Sequence, residues 1–484
     1  MGFRMEDSRR HLVGDIIPYY DEETKKYHLY YLRGNPDGCG LARFDTPWAH
    51  CATKDWKDIE VYPDALTKGM RGDWDDGACF TGCVIKYNGI YYLYYTAFSP
   101  YGDHSREVIS LATSVDGVTF QKHDSNPLLT PDYQRYGASD DFRDPYVWYD
   151  EQLGKWRMLF AAGLMDEPCS TRRGAVGQAY SEDLLHWELQ EALYAPRIYP
   201  SLECPDLFKL GDWYYLLFSQ FGRTEYRMSK TSNGPWLMPK HPCFDCGEYF
   251  FYAAKTLYDG EKRLLLGWCG SLKDNLDAHM ALWGGIAVTP RELHADADGE
   301  LYLTCPEALT VQGTSQTHDF VHVFDNVRSI GACLSIGQPD RFDAVLMVNT
   351  ECREYLLKVD VKTQRDRGVA GVILRSDDTL ERCYMLEINF ANRMMYFKRY
   401  DSFTLFSGDT VNMDIVLAEK SLRKWGDSLH LELHFQQDIL EVFGASCVMT
   451  VPVAQMKQGK VGFFAGYVEA NFSNICFQAL DNEQ

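Results

Sequence analysis

"GDIIPYYDEETKKYHLYYL" (residues 14–32) decides the reading of this chain, because its layout returns further along. An acid stands close to a Pro, a polar turn follows, and an aromatic strand closes the segment. "RDPYVWYDEQLGKWRMLF" (143–160) and "ECPDLFKLGDWYYLLF" (203–218) have the same order. Repeats govern fold assignment more strongly than local propensity, so they come first. Aromatic strands recur at "YHLYYL" (27–32), "YYLYYTAF" (91–98), "WRMLFAAG" (156–163), "WYYLLFS" (213–219) and "RLLLGWCG" (263–270). Each follows a short turn rich in Gly, Asp or Asn, the residues a tight reversal needs.

A second signal trails most of these strands: "ATKDWKDIEVYPDAL" (52–66), "ATSVDGVTFQKHDSNPLL" (112–129), "AYSEDLLHWELQEALYAP" (179–196) and "MSKTSNGPWLMPKHPCF" (228–244). It reads as a small-residue strand, a turn, and an outer strand carrying Trp or Phe. Each unit then holds about four strands, the content of a propeller blade. Five ordered copies predict an all-β, five-bladed β-propeller over residues 1–312; a two-sheet sandwich is the weaker alternative. Beyond "TCPEALTVQGTSQTHD" (304–319) the pattern changes to strict alternation, as in "EYLLKVDV" (354–361), "CYMLEINF" (383–390) and "LHLELHF" (429–435). Period-two patterning over seven or more strands predicts a β-sandwich domain at 318–484.

Innermost strands of a propeller converge on its axis, so one repeat position should gather at one mouth. Aligning the units on their aromatic strands and stepping back reaches Asp15, Cys79, Asp144, Glu203 and Phe251 or Tyr252. Three of these are carboxylates. Taken singly, Asp15 reads as a turn cap, Asp144 as the ion-pair partner of Arg143, and Glu203 as an exposed loop acid. Taken together they predict a pocket of crowded acids. Such a pocket suits glycoside cleavage, which needs one protonated and one ionised carboxyl; mutual repulsion pushes their pKa values apart. Nearby Trp48, Trp74, Phe80 and Trp283 are candidates for stacking on sugar faces, against the plainer role of blade packing.

The bulk numbers agree with a neutral substrate. With 48 Lys and Arg against 69 Asp and Glu, the 484-residue chain carries a net charge of −21. That charge repels phosphate backbones and anionic lipid, so neither nucleic acid nor membrane is an expected partner. A hydrophobic fraction of 45% and a charged fraction of 24% describe a folded chain rather than a disordered one. The opening "MGFRMEDSRRHLVGD" is polar and mixed in charge, unlike a secretory leader. With 15 scattered Cys, an odd number, it predicts a cytoplasmic protein with reduced thiols. "PCFDCG" holds one CxxC pair, Cys243 and Cys246, without a second pair to complete a zinc site, so no metal is expected there.

With these segments in view the chain resembles glycoside hydrolase family 32, the invertase, inulinase and levanase family. "FRDPYVW" (142–148) resembles its Arg-Asp-Pro motif and "ECPDLF" (203–208) its Glu-Cys-Pro motif. "GACFTGCVI" (77–85) resembles its Phe-Ser-Gly segment, with Thr81 at the Ser; "PWAHCATKDWKDIEVYPDAL" (47–66), "FYAAKTLYD" (251–259), "WGGIAVTPREL" (283–293) and "DILEVFGASCVMTVPV" (438–453) also resemble family segments. The resemblance implies a propeller joined to a sandwich and retaining hydrolysis of terminal β-fructofuranosides, sucrose or short fructooligosaccharides, without metal or organic cofactor. It implies Asp15 as nucleophile, Glu203 as acid/base and Asp144 as transition-state stabiliser. Arg143, Trp48, Phe80, Thr81, Cys204 and Trp283 are the expected substrate-binding residues. The family's Trp-x-Asn-Asp-Pro-Asn-Gly is replaced here by "HLVGDIIPYYD", and the Gln after the first aromatic strand by Leu32 and Arg33. Alternative readings are therefore a furanosidase for another sugar or linkage, and a binding protein without turnover. The sandwich braces the propeller, binds glycans, or supports a homo-oligomer.

Overall fold

The computed structural model describes residues 12–35, 45–101, 106–137, 141–272, 276–277, 281–313, 318–322, 327–330, 333–364, 366–404, 410–423 and 425–480. Its regular structure is almost entirely antiparallel strand. Two compact units emerge, Phe3–Ser271 with Leu282–Leu301, and Leu272–Ala281 with Tyr302–Gln484.

In the first unit each repeat begins with a largely buried strand: Leu12–Asp21, Ala78–Tyr87, Phe142–Asp150, Glu203–Leu210 and Tyr252–Tyr258. The aromatic strand pairs beside it, antiparallel, and further strands follow outward. The second repeat forms a four-stranded sheet, the third another, and the fourth a three-stranded one. The first and fifth repeats share one sheet, joined where Val13 pairs with Gly285. Turn chemistry explains the hairpins. Asn88 and Gly89 both take left-handed φ, 51° and 77°, between the paired residues Tyr87 and Ile90. A two-residue loop of that kind matches strand twist.

The small-residue signal also has a structural cause. Thr53, Ser114 and Ser181 end the third strand of their repeats, and each hydroxyl accepts a main-chain N–H three residues on. Asp55, Asp116 and Asp183, two residues later, each accept two further N–H groups. The repeated [Ser/Thr]-x-Asp is therefore a self-capping turn. Between repeats, Tyr94, Phe142, Met158 and Phe160 share one buried cluster, and Tyr30, Trp48, Leu93 and Tyr95 another.

A bulge interrupts every inner strand close to its start. The register slips between Val13 and Ile16, Phe80 and Gly82, Glu203 and Asp206, and Tyr252 and Lys255. In the third repeat the slip falls between Arg143 and Tyr146. Asp144, Cys204 and Ala253, each the first residue past its last regular pair, have φ of 61°, 51° and 48°. Left-handed backbone costs non-Gly residues roughly 1 kcal/mol or more and collects where geometry serves function. A bulge also re-aims its side chains.

The second unit contains two seven-stranded antiparallel sheets. One runs Phe320–His322, Phe342–Met347, Lys460–Gly466, Val369–Ser376, Arg382–Asn389, Met394–Thr404 and Thr410–Ser421. The other runs Val327–Ile330, Cys333–Ile336, Ala470–Ala479, Tyr355–Thr363, Leu429–Gln436, Ile439–Gly444 and Cys447–Pro452. Alternating burial appears where expected, as in Arg382–Asn389, whose pattern switches between core and partly solvated faces. Among the described residues no helix is long and apolar enough to cross a membrane.

Candidate active site

The bulges carry the three acids into one cavity of about 330 Å³, in the first unit. Asp15, Asp144 and Glu203 all line it, with Thr81, Arg143, Cys204, Tyr252 and Trp283. They do not occupy a single repeat position. Glu203 is the last regularly paired residue before its bulge, Asp144 the first residue within, and Asp15 the second within. This stagger lets three short side chains share one space without lying at the same height.

Asp15 accepts hydrogen bonds from the Thr81 hydroxyl and from Trp268 Nε1, the latter at 2.9 Å to Oδ1. Cys204 Sγ lies 3.8 Å from Oδ2. Burial lifts the Asp15 pKa to about 6; Asp144 and Glu203 push the same way, while Thr81 and Trp268 pull it down. Asp144 accepts the main-chain N–H of Cys204 at 2.8 Å and donates its own N–H to Thr96 Oγ1 at 2.8 Å. Its pKa is raised, first by burial and then by Glu203, against the pull of Arg143. The Glu203 side chain is 33% exposed, against 4% for Asp144. Oε2 accepts from the Tyr252 hydroxyl, and Oε1 from Arg143 Nη2 at 2.9 Å.

Arg143 spreads its donors over several oxygens. Nη1 reaches Glu107 at 3.1 Å and also Asp141, while Nη2 reaches Ser201 Oγ at 3.0 Å besides Glu203. Glu107 lies behind it, and burial raises its pKa to about 7. The first, third and fourth repeats supply the acids; the second and fifth supply donors, Thr81 to Asp15 and Tyr252 to Glu203.

Other expectations divide. Phe80 lines the cavity, its ring stacked on Phe98 with centroids 4.9 Å apart. Trp283 lines it too, its ring so close to the Asp15 strand that a Cβ on Gly14 would sit 2.3 Å from Cζ2. Trp48 does not face the cavity. It is fully buried behind the wall, its indole donating to the Phe80 carbonyl at 3.1 Å, so it packs and orients rather than stacks on a ligand. Cys79, reached by the alignment, also faces away, its Sγ 3.6 Å from Asp75; Thr81 takes the place in the cluster. Trp268, Tyr252, Glu107 and Asp141 were not among the expected site residues. Tyr252 stood at the aligned position, and Trp268 is the one Trp of the fifth aromatic strand, two readable hints. A larger cavity of about 650 Å³ lies further along the same strands, at Ile17, Val84, Val147 and Lys255, and holds none of the three acids.

Likeness of fold to solved structures runs the length of the chain, and sequence similarity to the first curated relatives covers about half of it. Relatives include a sucrose-6-phosphate hydrolase of Escherichia coli, 30% identical over 275 residues, which are 52% of this chain and 54% of that protein. The chain thus spans about half the length of the curated relatives it matches first. Among solved structures, sucrose-6-phosphate hydrolase from Lactobacillus gasseri superposes with a TM-score of 0.71 at 18% identity, covering 98% of this chain and 93% of that one. Fructan 1-exohydrolase IIa from Cichorium intybus gives 0.70 at 17%, covering 99% and 97%. Both show a common fold. The model of the glycosyl hydrolases family 32 N-terminal domain matches residues 18–306, well over half of the sequence. The chain belongs to glycosyl hydrolases family 32.

Proposed function

We propose that the protein is a retaining β-fructofuranosidase acting on small neutral fructosides such as sucrose or short fructooligosaccharides. One observation carries this reading: Asp15, Asp144 and Glu203, from three separate repeats, line a single cavity and have different partners. Asp15, with two donors on its oxygens, is the nucleophile. Its carboxylate attacks the anomeric carbon while Glu203 gives its proton to the departing glycosidic oxygen. Water then enters, Glu203 takes one of its protons, and the ester to Asp15 opens to release fructose. Asp144, clamped by the Cys204 N–H, stabilises positive charge on the sugar ring in both steps. Arg143, Phe80, Thr81, Cys204 and Trp283 shape and hold the sugar site.

The neutral substrate follows from charge. Asp15, Glu107, Asp141, Asp144 and Glu203 line the cavity against Arg106 and Arg143. A phosphate entering there meets a surplus of acids, so the phosphorylated disaccharide named for several relatives is disfavoured. Leu32, on the wall where the family has an amide, favours a second specificity, a furanoside of different sugar or linkage. The repeats are read as five blades, with the shared sheet counted as two blades linked at Val13 and Gly285. On that reading residues 1–312 form the catalytic propeller and 318–484 the sandwich, in a cytoplasmic enzyme.

The test is product analysis with sucrose, sucrose-6-phosphate, 1-kestose and an aryl arabinofuranoside. Fructose released first as the β-anomer, with kcat/KM higher for sucrose than for its phosphate, is the expected result. Inversion at the anomeric carbon would refute the mechanism, and preference for the phosphate would refute the charge argument. Ligand binding without turnover over long incubation would leave only the binding-protein alternative.

A further inference from the structure

A second cluster of chemically capable side chains lies in the second unit, and the hydrolysis proposed above does not use it. Glu432 and His434 alternate along the strand Leu429–Gln436, so both point to one face of the sheet. Leu431, Leu433 and Phe435 point to the other face, and all five are buried. On the polar face Glu432 Oε1 accepts the N–H of Val311 at 2.8 Å and lies 2.7 Å from His434 Nε2. Cys305 enters from the same stretch of chain as Val311. The Cys305 thiol, one Glu432 oxygen and one His434 nitrogen lie within 4.8 Å of one another.

A buried His and Glu can stand alone as a hydrogen-bonded pair. Two observations exceed that. His434 is fully buried, yet Nδ1 has no hydrogen-bond partner. The pair therefore leaves half of the imidazole unused. In addition, a thiol completes a sulfur, nitrogen and oxygen set drawn from two stretches far apart in sequence, around Cys305 and along Leu429–Gln436. Tetrahedral zinc takes such ligands at about 2.0–2.3 Å, which sets ligand atoms roughly 3.3–3.7 Å from one another, so sharing an ion needs the thiol to close by no more than about 1–1.5 Å and the 2.7 Å Glu432–His434 pair to open slightly. A soft thiolate beside imidazole selects zinc-type metals over magnesium or calcium.

We propose that Cys305, Glu432 and His434 form a zinc-type metal site, with the fourth position left to water. The ion ties the chain around Cys305 and Val311 to the strand Leu429–Gln436. It is structural, outside the acid cluster, and independent of the function proposed above. Binding to the folded chain alone raises stability with metal concentration.

The experiment uses the full chain, reduced and stripped of metal by a chelator that is then removed. Zinc chloride is titrated by calorimetry, and cobalt chloride by absorption, where a thiolate ligand gives a charge-transfer band. The expected result is one tight equivalent, a thiolate–cobalt band, and a zinc-dependent rise in Tm that magnesium does not reproduce. Cys305→Ser should abolish the band and weaken zinc binding at least 100-fold, while Cys169→Ser, at an exposed thiol outside the cluster, should change neither. His434→Gln should behave like Cys305→Ser. If that buried change prevents folding, Cys305→Ser decides alone, its fold checked by circular dichroism. No stoichiometric zinc in the wild type, or undiminished zinc and cobalt signals in Cys305→Ser, overturns the site.

Discussion

Cys204 donates its main-chain N–H to Oδ2 of Asp144 at 2.8 Å. The strand that carries Glu203 is thereby fastened to the acid of the preceding repeat, and the bulge at Cys204 makes the reach. The three acids are thus one mechanical unit, and substitutions among them should affect chemistry before they affect fold.

Asp15→Asn and Glu203→Gln keep nearly the same shape. Each should lower fructose release by about 10³-fold or more, the scale of losing a nucleophile or an acid/base group. Circular dichroism and Tm should change little. Near-normal turnover in either variant would remove that residue from its role.

The pH–rate profile should show the Asp15 environment. A nucleophile with a pKa of about 6 in the free enzyme places the acidic limb of kcat/KM near that value, and the need for a protonated Glu203 gives the profile a falling limb on its alkaline side. Trp268→Phe removes the donor to Oδ1, which holds the pKa down, so the acidic limb should move to higher pH. A limb that stays in place, or moves down, contradicts the assignment.

Glu107 should make stability fall as pH rises. Below its ordinary value of 4.5 it is protonated whether the chain is folded or not. From there to about 7 the unfolded chain ionises while the folded chain keeps the proton, so stability drops across that window. The full effect is on the order of 3 kcal/mol. Glu107→Gln removes this dependence, so its Tm relative to wild type should climb between pH 4.5 and 8. A constant difference would mean that the burial is relieved in solution.

Gly14→Ala tests the Trp283 wall. The added methyl would lie 2.3 Å from the indole, and either the ring or the Asp15 strand must give way. A stability loss of about 1–3 kcal/mol is expected for such overpacking, with weakened kcat/KM. Gly426→Ala, where a Cβ meets nothing within 4 Å, is the control by thermal unfolding and kinetics.

Much of this was readable in the sequence because repeats constrain position. The aromatic strands, the Ser/Thr-x-Asp turns and the three acids recur in order, and convergence follows from repetition. The bulges were not readable. A register slip depends on how two strands pair, and it moved the second repeat's contribution from Cys79 to Thr81. Trp48 failed for a similar reason: it pairs with Leu32 and turns its ring into the cluster with Tyr30 and Leu93, a facing that composition does not reveal. Trp268 and Glu107 reach the site from second and third strands, where no repeated acid marks them.

Among the described residues, the main-chain pairing that joins the first and fifth repeats into one sheet is that of Val13 with Gly285, and Asp15 is two residues away. The other neighbour of that inner strand, Lys26–Gly34, is stitched to it from Leu12 to Asp21. A transient parting of this seam would displace Asp15 while the remaining sheets stay intact, so on warming the enzyme should fall silent before it melts.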